Sequence, residues 1–148
     1  MKYKIIIPDT PCPLNRLLSM CWGARKRVKG RFNRAVWAGV HQSDLPKGFQ
    51  DVPKKVHVDT TFFWPGTRGR TPDGDNLLKH YFDSLKDNGV IHDDSQKYLS
   101  WSQPVIKRDP NNPRIEITLT VLEDEVYCCG CGFTHKPGEC PDGLKGKR

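Results

Sequence analysis

The sequence predicts an α+β fold: a single mixed sheet flanked by two helices, in the order β-α-β-α-β-β. β-branched and alternating segments indicate four strands, and apolar residues spaced three or four apart indicate two helices. Strands and helices mixed in this order favour one sheet that the helices partly cover. The chain has 148 residues, enough for one domain with a real core and a small appendage. We expect a main domain over residues 1–122 and a tail over residues 123–148.

Four segments have the composition and periodicity of strands. The first is a β-branched run that Pro8 ends, and the second alternates Val56, Val58 and Phe62 with polar residues, so that one face is buried. The third and fourth flank a turn-rich stretch at residues 109–113. The predicted strands run from Tyr3 to Ile7, Val56 to Phe62, Lys97 to Lys107 and Arg114 to Leu122.

Two further segments have helical periodicity. The first, from Arg31 to Val40, spaces its apolar residues three or four apart. The second runs from about Asp75 to Asn88 and stops before Gly89, a residue type that commonly follows helix ends. Residues 11–30 are rich in proline and basic side chains, and we interpret them as an exposed basic loop with little periodic structure.

Basic residues exceed acidic ones, with 24 Lys and Arg against 17 Asp and Glu and a formal charge of +7. Such an excess favours a polyanionic partner such as nucleic acid. No apolar run approaches the roughly 20 residues that span a bilayer, and the first residues are too short an apolar stretch for a signal peptide. We therefore expect a cytoplasmic protein with no membrane partner. The side chains expected to contact DNA phosphates are Arg16, Arg25, Lys26, Arg27, Lys29, Arg68 and Arg70.

Acidic residues concentrate in the stretch TPDGDNLLKHYFDSLKDNGVIHDDSQ. On the predicted helix, Asp75, Lys79 and Asp83 form an i, i+4, i+8 row that borders the apolar stripe facing the core. Asp73 precedes this row, and we expect Gly74 to let the backbone turn sharply enough for both carboxylates to point at one place. The polar row therefore lies at the edge of the predicted core.

The carboxylates come from two neighbouring segments, because Asp93 and Asp94 follow the helix. Phosphodiester hydrolysis at neutral pH needs a hard cation, and Mg²⁺ or Mn²⁺ prefers carboxylate oxygens. Lys79 is placed to stabilise the extra charge of a pentacovalent phosphate. Taken singly, each aspartate is better explained by an N-cap at Asp75, by surface ion pairs or by a turn. Those explanations do not account for the whole set, so we favour a metal site.

The pattern D-x-D-N-L-x-K-x-x-x-D-x-L, followed by G and by D-D-x-Q, resembles the signature of the RusA family of Holliday-junction resolvases, the crossover-junction endodeoxyribonucleases. Here it runs from Asp73 to Leu85, then through Gly89 to Asp93-Asp94-Ser95-Gln96. A weaker match extends over residues 1–122 and includes Pro13 to Arg16. The resemblance implies metal ligands at Asp73, Asp75 and Asp94, a catalytic lysine at Lys79, and supporting roles for Asp83 and Asp93.

The same resemblance implies a homodimer that binds a four-way DNA junction and nicks two strands of like polarity with Mg²⁺ or Mn²⁺, in DNA recombination and repair. Two symmetric cuts need two symmetric active sites, which a two-fold dimer supplies. The small size is compatible with a phage protein. The sequence departs from the family pattern where Thr71 and Pro72 separate Arg70 from the first aspartate, and where Gly74 replaces a commonly apolar residue. Both departures bear on junction selectivity.

The Gly-rich tail lacks the apolar residues for a core of its own, so a bound metal would have to fold it. Four of the six cysteines lie there, and Cys128-x2-Cys131-x3-His135-x4-Cys140 has zinc-ribbon or zinc-knuckle spacing for Zn²⁺. Cys129 is an alternative to Cys128 as the first ligand. With zinc, the tail would be an accessory nucleic-acid grip in which Phe133 stacks on an unpaired base. The alternative is a disordered tail with reactive thiols.

A function of a different class is a non-catalytic nucleic-acid-binding protein that uses the zinc tail and the basic loop. In that case the acidic cluster is structural, and no Mg²⁺-dependent nicking occurs. Three histidines are weak candidates for chemistry: His57 and His80 lie away from the acidic row, and His92 is expected to be an exposed loop residue. Cys12 and Cys21 are expected to be ordinary thiols.

Overall fold

The computed structural model describes residues 1–66 and 71–122, together with the backbone of two short strands in the tail. The main sheet and its helices comprise β1 (Lys2–Ile7), α1 (Leu14–Ser19), α2 (Trp22–His41), β2 (Val56–Trp64), α3 (Gly74–Asp87), β3 (Leu99–Trp101), β4 (Val105–Arg108) and β5 (Arg114–Val121). In the tail, β6 (Val126–Tyr127) pairs antiparallel with β7 (Thr134–His135).

The main sheet is mixed and has the strand order β1-β5-β2-β3, with β4 also paired to β2. β5 runs antiparallel to both β1 and β2, whereas β3 and β4 run parallel to β2. The predicted α+β class with one mixed sheet is therefore confirmed. No helix in the described ranges is long and apolar enough to cross a membrane.

The predicted strand from Lys97 to Lys107 is wrong as a single element. It is divided into β3 and β4, which occupy successive parts of the same edge of β2. The division falls at Pro104, which has no backbone N–H to donate to a ladder and is buried. The segment around Pro104 instead packs against Gly74 at the start of α3.

One face of the sheet forms the core, and α3 covers it. Val56, Val58 and Phe62 of β2 are fully buried, as their alternation predicted. Thr60 lies on the same face, and its Oγ1 shares a 2.9 Å hydrogen bond with the hydroxyl of Tyr81 on α3. Burial raises the pKa of Tyr81 far above its ordinary value, so this hydroxyl remains protonated.

The interpretation of residues 11–30 as a loop is wrong, because they contain α1 and the first turns of α2. α2 therefore begins at Trp22 rather than at Arg31. The many basic residues of this stretch are good helix formers, and their long side chains lie on exposed faces. Within α2, the apolar residues before Phe32 are Trp22, Ala24 and Val28, too few to indicate its first turns by periodicity.

Arg25 has a structural role at the junction between α1 and α2. Its guanidinium donates to the carbonyl of Leu17 at 3.0 Å and to those of Leu18 and Met20 at 3.2 Å. The final carbonyls of a helix have no partner within the helix, so these bonds satisfy them and fix α1 against α2. The Nε and Nη2 atoms of Arg25 therefore have a role within the fold, and its contact with DNA stays a prediction.

Two glycines have positions that the backbone requires. Gly89 has a φ of 69°, in the left-handed region, and directly follows the α3 C-cap, as predicted. Gly39 lets α2 approach β1 closely, because a Cβ there would lie 2.5 Å from the carbonyl oxygen of Ile6 and 3.1 Å from the Cα of Ile7.

We expect Gly39→Ala to lower the free energy of unfolding by about 1–3 kcal/mol, because the added methyl group meets backbone atoms that cannot move aside alone. Gly30→Ala is the matched control on the same helix. Its Cβ would meet only the Nη1 atom of Arg34, at 3.8 Å, so the helix propensity of alanine should raise stability by about 0.5–1 kcal/mol. Urea denaturation measures both variants, and equal stability of Gly39→Ala and wild type would contradict the close approach.

Candidate active site

The two aspartates at the start of α3 have exposed carboxylates that do not cap the helix. α3 begins at Gly74, so the N-cap is Asp73 and Asp75 lies in the first turn. The alternative of an N-cap at Asp75 is therefore wrong. The carboxylate of Asp73 makes no capping hydrogen bond. Both carboxylates are exposed at the positive end of the helix dipole, where negative charge is stabilised.

The sequence predicts a sharp turn at Gly74, but the structure requires a glycine there for another reason. Its φ is not positive, and it is the first residue of α3. A Cβ at this position would lie 2.8 Å from Cγ of Pro104, so the missing side chain makes room for the segment between β3 and β4. This contact explains why a glycine stands here, and no signal in the sequence pointed to Pro104 as its neighbour.

Lys79 joins the two acidic segments. Its ammonium lies 3.4 Å from Oδ1 of Asp83 on the same helix and 3.8 Å from Oδ2 of Asp94 in the following segment. The row of polar side chains on α3 thus reaches the Asp93-Asp94 pair in space. All three side chains are partly exposed, so the contribution of these pairs to stability is small.

A second ion pair holds Asp93 in a different position from Asp94. The Nζ atom of Lys86 donates to Oδ1 of Asp93 at 2.9 Å. This hydrogen bond lowers the pKa of Asp93 to about 2 and raises the pKa of Lys86. Asp93 is therefore occupied by an ion pair with α3, whereas Asp94 is directed to Lys79. Asp83, in turn, pairs with Lys79 and not with Lys86.

The donor set fits a hard divalent cation in chemical type. Asp73, Asp75 and Asp94 are exposed carboxylates, and Lys79 brings Asp94 to the helix that carries the first two. Over residues 1–66 and 71–122, however, no three Asp, Glu, His or Cys side chains already stand close enough together to hold a metal ion. The assignment of these three ligands remains a prediction.

His80 is the buried histidine of the site region. Its side chain faces α2, with its ring 4.8 Å from that of Phe32, and the residue is 3% exposed. Its Nε2 atom is buried with no hydrogen-bond partner in the described part of the chain. Burial, and secondly the charge of Lys29, lower the pKa of His80 to about 4. The imidazole is therefore neutral at pH 7.

The other histidines of interest lie in separate surroundings. His57 hydrogen-bonds through its two ring nitrogens with Ser100 at 2.8 Å and with Ser102 at 3.0 Å. His92 is half-buried rather than fully exposed, and its ring packs edge-on against Tyr98 with centroids 4.4 Å apart. Neither histidine is among the residues that pair with Lys79.

The basic residues predicted to bind DNA lie on different faces. Lys26 and Lys29 lie on the side of α2 that faces a groove next to α3, whereas Arg27 is exposed on another side of the helix. Arg16 lines a separate small cavity beside Cys12, which, like Cys21, is a free thiol. Arg68 and Arg70 lie outside the described residues, as do Cys128, Cys131, Cys140 and the side chain of His135.

The family model of the endodeoxyribonuclease RusA matches residues 31–120, more than half of the chain. The chain belongs to the RusA family. No curated protein matched the chain. The RusA match spans the second half of α2, all of α3 and the Asp93-Asp94 segment, and it ends within β5. It supports a nuclease that hydrolyses DNA, in a family that depends on divalent metals and acts on branched DNA, generally as dimers.

The depressed pKa of His80 predicts a pH dependence of stability. The unfolded chain binds a proton at His80 near pH 6.5, whereas the folded chain resists it until about pH 4. Stability should therefore fall as the pH drops from 6.5 to 4, by at most about 3 kcal/mol from this group. His80→Leu should lose less stability over that interval, as measured by urea denaturation at pH 7 and pH 4.5.

The control is His41→Leu, which removes an exposed histidine at the end of α2. It should follow the wild-type pH dependence. If His80→Leu also followed the wild type, the stability change would come from carboxylates, and the role given to His80 would be wrong.

Proposed function

We propose that the protein is a metal-dependent, structure-selective endodeoxyribonuclease that resolves four-way DNA junctions by paired symmetric nicks. The observation that supports this most is the position of Lys79 between α3 and Asp94, which joins the two acidic segments inside the span that matches the RusA family. A structural cluster would pair its carboxylates internally. Here the side chains of Asp73 and Asp75 have no hydrogen bond or ion pair with other described residues.

In the proposed mechanism, Asp73, Asp75 and Asp94 hold Mg²⁺ or Mn²⁺. A divalent ion supplies Lewis acidity toward the phosphate and makes water a better nucleophile. The ammonium of Lys79 donates hydrogen bonds to the phosphate oxygens and stabilises the charge that grows on them during attack. Asp83, 3.4 Å from this ammonium, orients it. Asp93 positions its neighbour Asp94 through its pair with Lys86.

DNA binding in this proposal is mainly electrostatic. Arg16, Arg25, Lys26, Arg27 and Lys29 contact phosphates of the junction arms, and we propose the same role for Arg68 and Arg70, which precede Asp73 in the sequence. Phosphate contacts position the protein without selecting a base sequence, so the shape of the junction determines where it is cut. A homodimer presents two such sites to a two-fold junction, as the symmetric nicks require.

The second candidate is a non-catalytic nucleic-acid-binding protein. It is favoured by one observation: the described carboxylates do not stand in a preformed group of three around one point. In that case the basic residues of α2 and the tail would bind DNA, and the pairs of Lys79 and Lys86 would only fix the chain after α3. Cleavage by the wild-type protein separates the two candidates.

For the tail, we propose a small zinc-binding unit over residues 123–148, distinct from a nuclease domain over residues 1–122. Cys128, Cys131, His135 and Cys140 are the proposed ligands, with Cys129 as an alternative to Cys128. The pairing of β6 with β7 supports this, because it places His135 opposite Val126, close in sequence to Cys128. Zinc there would fold the tail, whereas the metal at the aspartates would serve the cleavage.

Asp75→Asn and Asp94→Asn should each abolish Mg²⁺-dependent nicking of a synthetic four-way junction while junction binding persists. Each change removes a negative oxygen ligand and keeps the shape of the side chain. Lys79→Met should lower the single-turnover cleavage rate by about 10²–10³-fold, the usual effect of losing one charge-stabilising donor. Denaturing gels of end-labelled junction strands measure the rates, and gel shifts without metal measure binding.

Asp44→Asn is the control for these variants, since it removes an exposed carboxylate from the segment after α2. It should cleave at the wild-type rate. Full cleavage by Asp75→Asn would overturn the proposed ligand set, and absence of cleavage by the wild type with Mg²⁺ or Mn²⁺ would favour the binding protein.

Protein purified without chelator should contain one zinc ion per chain, and Cys131→Ser should lose it. Elemental analysis measures the ratio. Cys128→Ser and Cys129→Ser, compared in parallel, identify the first ligand, because only the ligand's loss should release zinc. The zinc-binding tail would be contradicted if wild-type protein prepared without any chelator contained no zinc.

A further inference from the structure

A groove of about 710 Å³ lies between α2 and α3. Trp22, Lys26, Lys29 and Gly30 line it from α2, and His80 and Asp83 from α3. Apolar periodicity does not predict this groove, because it indicates no helix before Arg31. Only as a helix do these residues face α3 together.

The α2 side of the groove combines an exposed aromatic ring with cations. Trp22, Lys26 and Lys29 recur at i, i+4 and i+7, so they share one face of the helix. Trp22 is 75% exposed, and the ammonium of Lys26 lies 5.1 Å from the centre of its ring. A flat aromatic surface beside positive charge is the combination that binds unpaired nucleotides, because the ring stacks on a base and the cations bind the phosphate.

A second, independent observation comes from the α3 side. His80 lines the groove, is 97% buried and has a ring nitrogen with no hydrogen-bond partner in the described part of the chain. A buried polar atom without a partner is costly, and such atoms commonly mark places where a ligand or water completes the bonding. Its neighbour Lys29 supplies positive charge at the same place.

The groove is continuous with the candidate active site. Asp83 lines the groove and also lies 3.4 Å from the ammonium of Lys79, which in turn lies 3.8 Å from Asp94. Because Asp83 is paired with Lys79, it repels a phosphate bound at Lys26 and Lys29 less strongly than an unpaired carboxylate would. Besides Asp83, the charged side chains that line the groove are Arg25, Lys26, Lys29, Lys86 and Asp87, so the lining carries more positive than negative charge.

We propose that this groove is a nucleotide-binding subsite for an unpaired base of the DNA strand that enters the active site. The base stacks on Trp22, and Lys26 and Lys29 bind its flanking phosphates. The inference rests on the proposed function in one respect: the strand is taken to be the one that is cut. It implies that the protein binds DNA whose bases are unpaired near the crossover more tightly than it binds intact duplex.

The test uses the full-length protein and a four-way junction with 2-aminopurine next to the crossover, in buffer without divalent metal so that no strand is cut. Wild-type protein should change the fluorescence of 2-aminopurine on binding. Trp22→Ala should abolish this change and weaken junction binding about tenfold, the usual effect of losing one stacked base. Trp22→Phe should retain most of both.

Trp37→Ala is the matched control, because Trp37 is also exposed on α2, at 55%, but stacks on His41 at 3.9 Å and does not line the groove. It should bind and respond like the wild type. Lys29→Gln should lower the slope of log affinity against log salt by about one, whereas Trp22→Ala should leave that slope unchanged. Thermal unfolding verifies that all variants are folded.

Equal affinity and equal fluorescence response of Trp22→Ala and Trp37→Ala would overturn the subsite. This failure differs from failure of the proposed nuclease. A wild-type protein that never nicks the junction but still gives the Trp22-dependent response would refute the nuclease and support the subsite. Normal nicking, with a response that Trp22→Ala leaves intact, would refute the subsite alone.

Discussion

The packing of α3 on the inner face of β2 is the contact on which the rest of the site depends. Tyr81 is fully buried there, and its hydroxyl shares a hydrogen bond with Thr60, so each polar group satisfies the other inside the core. Leu77 and Leu85, one turn before and after, are fully buried on the same stripe. Burying a side chain of this size contributes roughly 1.5–3 kcal/mol, so the rotation of α3 about its axis is strongly fixed. The row from Asp75 to Asp83 must then lie at the edge of the core.

The chain after α3 takes its place from two ion pairs and one turn. Gly89 reverses the backbone in the left-handed region, and Val90 and Ile91 then enter the core. Lys86 binds Asp93, and Lys79 lies beside Asp94, so two adjacent carboxylates point to two different lysines. Exposed ion pairs of this kind add little to overall stability, but they select one arrangement of a short segment whose ends are already fixed. The position of Asp94 is thus a consequence of burial first and charge second.

The sequence predicted those parts of the molecule in which local pattern and tertiary packing agree. α3, its end at Gly89 and the alternation in β2 all follow from periodicities of 3.6 and 2. α1 and the start of α2 did not, because Arg25 stabilises them through carbonyls of a neighbouring helix, a contact without any periodic signature. Pro104, which separates β3 from β4, lies where a side chain at position 74 would stand. The break between the two strands and the need for a glycine at position 74 therefore come from the same contact. Such mutual contacts between distant segments cannot be read from either segment alone.

Because the basic stretch is helical and not a loop, the helix determines which of its positive charges lie on the same face. In a loop, every cation could turn toward one phosphate chain, but on α2 the spacing fixes which cations act together. Arg25 donates three hydrogen bonds within the fold, Lys26 and Lys29 face α3, and Arg27 lies on another side. Fewer basic residues therefore reach any one DNA strand than the formal charge of +7 suggests. Where charge is divided in this way, a contact that is not electrostatic adds to the proposed recognition of DNA, and the exposed Trp22 beside Lys26 offers one.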